Sequence, residues 1–139
     1  MVAIKYLLDT NILSEPLRPE PNQRVMSKLD KHELEIGISS IALYELYRGM
    51  HLLPNSKRKN IIKKYLEEQV ALLPVFDFDS ASAKCLARVR AELQKKGKML
   101  ALVDSQIAAI AAANGLILVT RNVKDFKAFP KLKLQNWFA

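Results

Sequence analysis

Four acidic residues could form a site together, namely Asp9, Glu45, Asp104 and Asp125. Asp9 ends an apolar run and Asp104 begins another, while Glu45 lies within a mostly apolar segment and Asp125 follows the apolar run 116–119. Carboxylates that are held close together repel one another unless a divalent cation neutralises them or their pKa values rise. No histidine or cysteine accompanies these acids at a metal-ligand spacing. A set of oxygen ligands alone suits Mg²⁺ or Mn²⁺ rather than zinc. These residues therefore predict a carboxylate site for one of those two ions, provided that the fold brings them together.

The elements that must position the acids alternate between short apolar strands and helices. Strands are predicted at 2–8, 35–38, 72–76 and 116–119, with an alternating edge strand at 131–135. Helices are predicted just after Asp9 and at 22–32, 41–53, 56–70, 80–96 and 104–114, and a loop at 120–126. This order predicts an α/β fold with three layers: a central, mostly parallel sheet of about five short strands covered by helices on both faces. The functional crevice of such a sheet lies at the carboxyl ends of its strands, and all four acids are expected at or near that edge.

Each acid also has an ordinary structural explanation. Asp9 or Asp104 could cap the N-terminus of a helix, and Asp125 could be a solvated loop residue. Glu45 lies outside the polar stripe of its helix, so it is expected to be buried and could pair with an arginine or lysine across the core. The two histidines are expected at the surface.

Composition excludes several classes of protein. The 139 residues fit one domain; half are hydrophobic, and only 4 glycines and 6 prolines occur, which argues against disorder. No apolar run approaches the roughly 18 residues that cross a bilayer, and the N-terminus carries charge too early for a signal peptide. The single cysteine, Cys85, excludes a disulfide framework. These observations predict a single domain over 1–139, located in the cytoplasm and not in a membrane.

The chain is strongly basic. It carries 22 lysines and arginines against 14 acidic residues, a net charge of +8. Charge of this sign favours polyanionic partners, nucleic acid first and an anionic membrane surface second. The basic residues concentrate in 55–69, 84–98 and 121–133.

Four sequence blocks resemble those of a known family: LLDTNIL at 7–13, ALYELYRG at 42–49, VDSQIAAIAA at 103–112 and VTRNVKDF at 119–126. They look like the blocks of PIN-domain ribonucleases, above all the VapC toxins of type II toxin–antitoxin pairs, including their FitB-like branch. The resemblance extends over nearly the whole chain and ends with QNWF, similar to the family's terminal strand. This chain departs from many relatives at two places. It has Met99-Leu100 where they have Ile-Pro, and it has Ser105-Gln106 where they have a bulkier residue after the third acid.

The resemblance implies a metal-dependent endoribonuclease with Mg²⁺ or Mn²⁺ at an acidic tetrad. The four acids of this tetrad correspond to Asp9, Glu45, Asp104 and Asp125. The family's polar residues that position the metal, water or phosphate correspond to Asn11, Thr120 and Asn122. It also implies a homodimer, a VapB-like antitoxin whose tail blocks the site, and contact with DNA only through that antitoxin. The RNA substrate, a tRNA or a ribosomal RNA loop, stays open.

Two other functions fit parts of the sequence. One is a non-catalytic PIN-like module that binds DNA together with its antitoxin. The other is a phosphoacceptor signalling domain built on Asp9, Asp77 or Asp79, Thr120 and Lys133. The second leaves Glu45 and Asp104 without a role.

Overall fold

The computed structural model describes residues 3–139. Five strands form its sheet: β1 (Tyr6–Leu8), β2 (Ile36–Ser39), β3 (Val75–Phe76), β4 (Ile117–Val119) and β5 (Leu134–Gln135). The α-helices are α1 (Thr10–Ser14), α2 (Gln23–Lys31), α3 (Ser40–Leu52), α4 (Lys57–Glu68), α5 (Ser80–Lys95), α6 (Leu102–Ala113) and α7 (Val123–Phe126). Short 3-10 helices cover Glu15–Leu17 and Val70–Leu72.

The strand order is β3-β2-β1-β4-β5, and all four pairings are parallel. From β1 the chain winds outward through β2 and β3, then crosses to the other side for β4 and β5. The direction of winding therefore reverses between β1 and β4. In doubly wound sheets this switch point opens a crevice at the carboxyl ends of the strands.

Two hydrophobic cores sandwich the sheet, because side chains alternate between its faces along each strand. Leu8 and Ile38 pack on one face with residues of α1 to α4 and with Trp137. Leu7 and Leu118 pack on the opposite face with α5, α6 and α7. The α/β class and the three layers expected from the sequence are thus confirmed.

The predicted strands are longer than the observed ones. The strand expected at 2–8 starts at Tyr6, and its first residue lies outside the described part of the chain. In the 72–76 segment, residues up to Leu72 form a 3-10 helix, and only Val75–Phe76 pair with β2. Leu72 is 79% exposed, so its apolar character does not mark a core position. The expected edge strand 131–135 is reduced to β5, and Trp137 is buried beyond it without strand pairing.

Helix boundaries follow local capping chemistry. Ser39 accepts a hydrogen bond from the Ala42 amide and begins α3, while Asp79 does the same for Ser82 at the start of α5. Gly97 and Gly115 follow α5 and α6 with φ of +69° and +66°, the left-handed conformation that ends helices. The predicted loop 120–126 is wrong in part, because it contains the four-residue helix α7.

The surface position expected for both histidines holds only for His51. His32 lies against two aromatic rings, with centroid distances of 4.8 Å to Tyr6 and 5.5 Å to Trp137. Its Nδ1 lies 2.9 Å from Glu35 Oε1. Within residues 3–139, none of the helices is both long enough and apolar enough to span a bilayer.

Candidate active site

Asp9 occupies the switch point of the sheet. It directly follows β1, and its amide donates to the Val119 carbonyl of β4 at 2.9 Å. Its Oδ1 accepts from the Thr10 amide at 2.9 Å, so the expected capping role at α1 is also present. The side chain is only 5% exposed. One carboxylate oxygen therefore caps α1, while the other faces the groups that follow β4.

Thr120 and Asn11 connect the ends of β1 and β4 around this carboxylate. The fully buried Thr120 hydroxyl donates to Asp9 Oδ2 at 2.8 Å and accepts from the Asn122 amide at 3.1 Å. Asn11 Nδ2 lies 3.5 Å from both Asp9 Oδ2 and Thr120 Oγ1, and Asn11 Oδ1 accepts from the Arg121 amide at 3.3 Å. The exposed side chain of Asn122 joins no hydrogen bond within the described residues, so only its backbone contributes to this network.

Electrostatic repulsion links the other acids to Asp9. Burial raises the pKa of Glu45, and the negative charges of Asp9 and Asp104 raise it further. Burial likewise raises the pKa of Asp104, with further contributions from the charges of Asp9 and Asp125. Burial also raises the pKa of Asp9, against the lowering effect of its hydrogen bonds to Thr120 and Thr10. Asp9, Glu45 and Asp104 therefore interact electrostatically with one another, whereas Asp125 interacts with Asp104.

Two expectations about individual acids need correction. Glu45 is half-buried rather than buried, and it belongs to no ion pair among residues 3–139, so pairing with a cation across the core is wrong. Asp104 is the third residue of α6 and not its N-cap, because the helix begins at Leu102 after Ala101. Asp125 is exposed in the first turn of α7.

The donor set fits a hydrated hard cation. Within the described residues, no three acidic, histidine or cysteine side chains are grouped closely enough to hold an ion together. The carboxyls nevertheless act on one another's pKa values, which indicates a site wider than a direct three-ligand cage. Mg²⁺ keeps several of its waters and is commonly bound through one or two carboxylates. These residues can therefore hold such an ion partly through water.

The signalling-domain hypothesis requires a second acid beside Asp9 at Asp77 or Asp79. Asp79 instead accepts hydrogen bonds from the amide and hydroxyl of Ser82, and thereby caps α5. The acids whose pKa values respond to the charge of Asp9 are Glu45 and Asp104. The site therefore combines the residues that the signalling hypothesis leaves unused.

Sequence reasoning missed a pair of polar residues behind Asp104. Arg90 of α5 donates from Nη1 to the hydroxyl of Ser105, the residue that follows Asp104. Ser105 is fully buried, whereas the polar residues on either side of it in α6, Asp104 and Gln106, are half-buried. A polar residue at a buried helical position was the available signal, because buried hydroxyls need a hydrogen-bond partner.

Cationic groups border the acidic site. The Arg121 guanidinium stacks 4.6 Å from the centroid of the Phe138 ring, and its backbone amide bonds to Asn11. Lys124 and Lys127 are exposed on the segment that carries Asp125. A negatively charged backbone could therefore contact cations beside the carboxylates.

The structure is thus a doubly wound parallel α/β domain with an acidic site at the switch point of its sheet. A family model described as "PIN domain" matches residues 6–132, and the chain belongs to this family. It is 39% identical over 137 residues to Toxin FitB of Neisseria gonorrhoeae, covering 94% of this chain and 97% of that protein. It is 37% identical over 137 residues to Ribonuclease VapC2 of Rickettsia felis, covering 95% and 97%.

The fold also matches a solved toxin complex. The structure of FitAB bound to an IR36 DNA fragment superposes with a TM-score of 0.88 at 36% identity, covering 96% of both chains. The resemblance to VapC-type PIN ribonucleases of the FitB-like branch is therefore confirmed.

Proposed function

We propose that this chain is a metal-dependent endoribonuclease and the toxin of a type II toxin–antitoxin pair. The observation that carries the proposal is the buried Asp9 at the switch point, bonded to Thr120 and electrostatically linked to Glu45 and Asp104. Repulsion among these carboxylates destabilises the folded protein, and a bound divalent cation would neutralise it, which accounts for carboxylates that are kept close together. The ribonuclease activity named for VapC2 of Rickettsia felis supports the same reaction.

Asp9, Asp104 and Glu45 would hold one or two Mg²⁺ or Mn²⁺ ions directly or through water, and Asp125 would complete the site. When bound, the ion supplies an acidified water and stabilises negative charge on the phosphate and the leaving oxygen. Thr120 fixes Asp9 Oδ2, while Asn11 joins the two strand ends that frame the site. Asn122 contributes through its backbone amide to Thr120. Hydrolysis adds water across one phosphodiester, forming one P–O bond and breaking another.

The basic segments around 57–64, 84–98 and 121–133 would bind the RNA backbone. Most of their lysines and arginines are exposed, so these contacts depend on charge and weaken steeply with salt. Phosphate contacts carry no base information, and the target, a tRNA or ribosomal RNA, would be selected by shape and loop contacts.

The partners follow from the family. FitB is found in a FitAB complex bound to DNA. We infer a VapB-like antitoxin, a homodimeric toxin, and DNA contact only through the antitoxin. A single domain over 1–139 acting in the cytoplasm fits this role.

The test compares the purified wild type with Asp9→Asn on total structured RNA. Asn keeps the size of Asp and one oxygen for the cap, so the fold is expected to persist; Asp77→Asn is a matched control because Asp77 is exposed. Wild type and Asp77→Asn should give discrete fragments with Mg²⁺ or Mn²⁺ and none with EDTA, while Asp9→Asn gives none. Intact RNA from the wild type despite bound Mg²⁺ would favour the non-catalytic DNA-binding module. Equal cleavage by wild type and Asp9→Asn would overturn the assignment of the acids.

A further inference from the structure

Arg90 makes an interhelical contact directly behind Asp104. Its Nη1 donates to the Leu100 carbonyl at 3.1 Å and to the Ser105 hydroxyl at 3.0 Å. The Ser105 hydroxyl in turn donates to the Leu102 carbonyl at 2.8 Å, and its amide donates to the Ala101 carbonyl at 2.9 Å. One guanidinium nitrogen of α5 thus binds both the segment before α6 and the first turn of α6.

The start of α6 needs such support. Its N-cap residue, Ala101, has no side chain that can accept from the first amides, whereas α3, α4 and α5 each begin with a serine or aspartate cap. Two apolar residues here are also highly exposed: Met99, before this turn, at 84% and Leu102, the first residue of α6, at 54%. No side-chain cap therefore fixes the start of α6, and burial of the preceding segment is confined to Leu100, which packs against the core.

The positive charge of Arg90 is electrostatically unfavourable beside the N-terminus of α6. The N-terminus of a helix carries a partial positive charge, which disfavours a nearby guanidinium. Arg90 is half-buried and forms no ion pair among residues 3–139. Arg90 therefore acts on this turn through hydrogen-bond geometry.

We propose that Arg90 is a positioning residue, which through Ser105 and Leu100 holds the first turn of α6 so that Asp104 can take part in binding the divalent cation. This inference rests on the proposed function, since it assumes that Asp104 belongs to a metal site. Residues that orient metal ligands commonly change metal affinity about 10- to 100-fold when they are removed. Arg90 contacts Ser105, the neighbour of Asp104, and not Asp104 itself, so we expect its removal to lower the metal affinity by a smaller factor, roughly three- to tenfold.

The experiment measures Mn²⁺ binding to the purified full-length protein by electron paramagnetic resonance of the free ion. The variants are Arg90→Met, Ser105→Ala, their combination and Arg90→Lys. Arg88→Met is the matched control, because Arg88 lies two residues earlier on α5, is exposed, and contacts Glu92 at 3.8 Å. Arg90→Met and Ser105→Ala should each lower the Mn²⁺ affinity. The double variant should have the same Mn²⁺ affinity as the single variant that binds Mn²⁺ less tightly. Arg90→Lys should recover part of the Mn²⁺ affinity, and Arg88→Met should bind Mn²⁺ as tightly as the wild type. Arg88 lies in the segment 84–98 that is proposed to bind RNA, so it is a control for Mn²⁺ binding and not for cleavage.

Two results would overturn the proposal: unchanged Mn²⁺ affinity in Arg90→Met, or losses that multiply in the combined variant. If Arg90→Met does not fold, Ser105→Ala, which removes a single hydroxyl, decides the question together with Arg90→Lys. Saturating Mn²⁺ should restore RNA cleavage to the positioning variants, whereas a general loss of folded protein would not be restored. Asp104→Asn separates the two proposals: if it leaves Mn²⁺ affinity unchanged, the metal site itself fails. If it abolishes binding while Arg90→Met does not weaken it, only the role of Arg90 fails.

Discussion

Asp104→Asn should make the metal-free protein more stable while it abolishes cleavage of RNA. The substitution removes a charge that is repelled by Asp9 and Asp125 and leaves the shape of the side chain nearly unchanged. Two unit charges 4 Å apart interact by about 1 kcal/mol in water and about 4 kcal/mol near a protein surface. Asp104 is half-exposed and solvent screens it, so a gain of about 0.5–1.5 kcal/mol in the free energy of unfolding is expected.

The pH dependence has a definite sign. Burial and repulsion raise the pKa of Asp104 above its ordinary value of 3.8. A carboxyl whose pKa is raised by folding contributes stability below the unfolded-state pKa and loses it as pH rises through the folded-state pKa. The stability advantage of Asp104→Asn should therefore be absent below about pH 3.8, grow through the raised pKa and remain constant at neutral pH.

Thermal unfolding in EDTA and in Mg²⁺ tests this reasoning. In EDTA at neutral pH, Asp104→Asn should melt about 2–5 °C above the wild type, the shift expected for about 1 kcal/mol in a domain of this size. Mg²⁺ at ten times its dissociation constant should stabilise the wild type by about 1.4 kcal/mol and leave the variant almost unchanged. Asp77→Asn, at an exposed acid, should match the wild type in both buffers. A variant that melts below the wild type in EDTA, or that responds equally to Mg²⁺, would refute repulsion at a shared metal site.

Three further substitutions test separate parts of the structure. Thr120→Val removes a hydroxyl that lowers the pKa of Asp9, so the rise of the cleavage rate with pH should move to higher pH. In urea unfolding, the variant should lose about 1–3 kcal/mol of the free energy of unfolding. An unchanged pH profile would contradict the contact between Thr120 and Asp9. In a filter-binding assay with structured RNA, Arg121→Gln should reduce the slope of the logarithm of the binding constant against the logarithm of the salt concentration by about one. Phe138→Leu, which removes the ring under the guanidinium, should reduce this slope less. An unchanged slope in Arg121→Gln would place Arg121 outside the RNA-binding surface. Ile107→Ala empties a fully buried position of α6 and should cost about 2–5 kcal/mol in urea unfolding, whereas a cost under 1 kcal/mol would contradict tight packing there.

The placement of Asp9 could be predicted because two signals agree. A buried parallel strand is an apolar run, and Asp9 ends such a run before a segment that can form a helix. Strand lengths could not be predicted in the same way, because Leu72 continues an apolar pattern while lying at the surface. The extents of β3 and β5 depend on where the neighbouring strand offers hydrogen bonds, and the local sequence does not encode that.

His32 shows a related limit. A polar residue at the end of an exposed helix favours a surface position, yet Tyr6 and Trp137 cover its ring from distant parts of the chain. Contacts of this kind arise from tertiary packing, which overrides the local pattern. The position of Glu45 outside the polar stripe of α3 predicts a buried residue paired with a cation, yet Glu45 is half-buried, and the charges that shift its pKa are those of two other acids.

The contact between Arg90 and Ser105 joins residues 15 positions apart on different helices, so a local pattern can indicate that Ser105 needs a partner but cannot identify Arg90 as that partner. The sequence places a small serine directly after Asp104, at a position where the resemblance to VapC-type toxins implies a bulkier residue. The structure gives a reason for that departure, because the serine hydroxyl accepts from Arg90 and donates to Leu102 in a space without solvent. A bulkier apolar residue there would fill the space and remove this acceptor, and the guanidinium nitrogen would keep its hydrogen bond to the Leu100 carbonyl alone. Arginine at position 90 and a small hydroxyl residue at position 105 should therefore occur together among relatives, and an alignment in which they vary independently would show that the contact does not constrain the site.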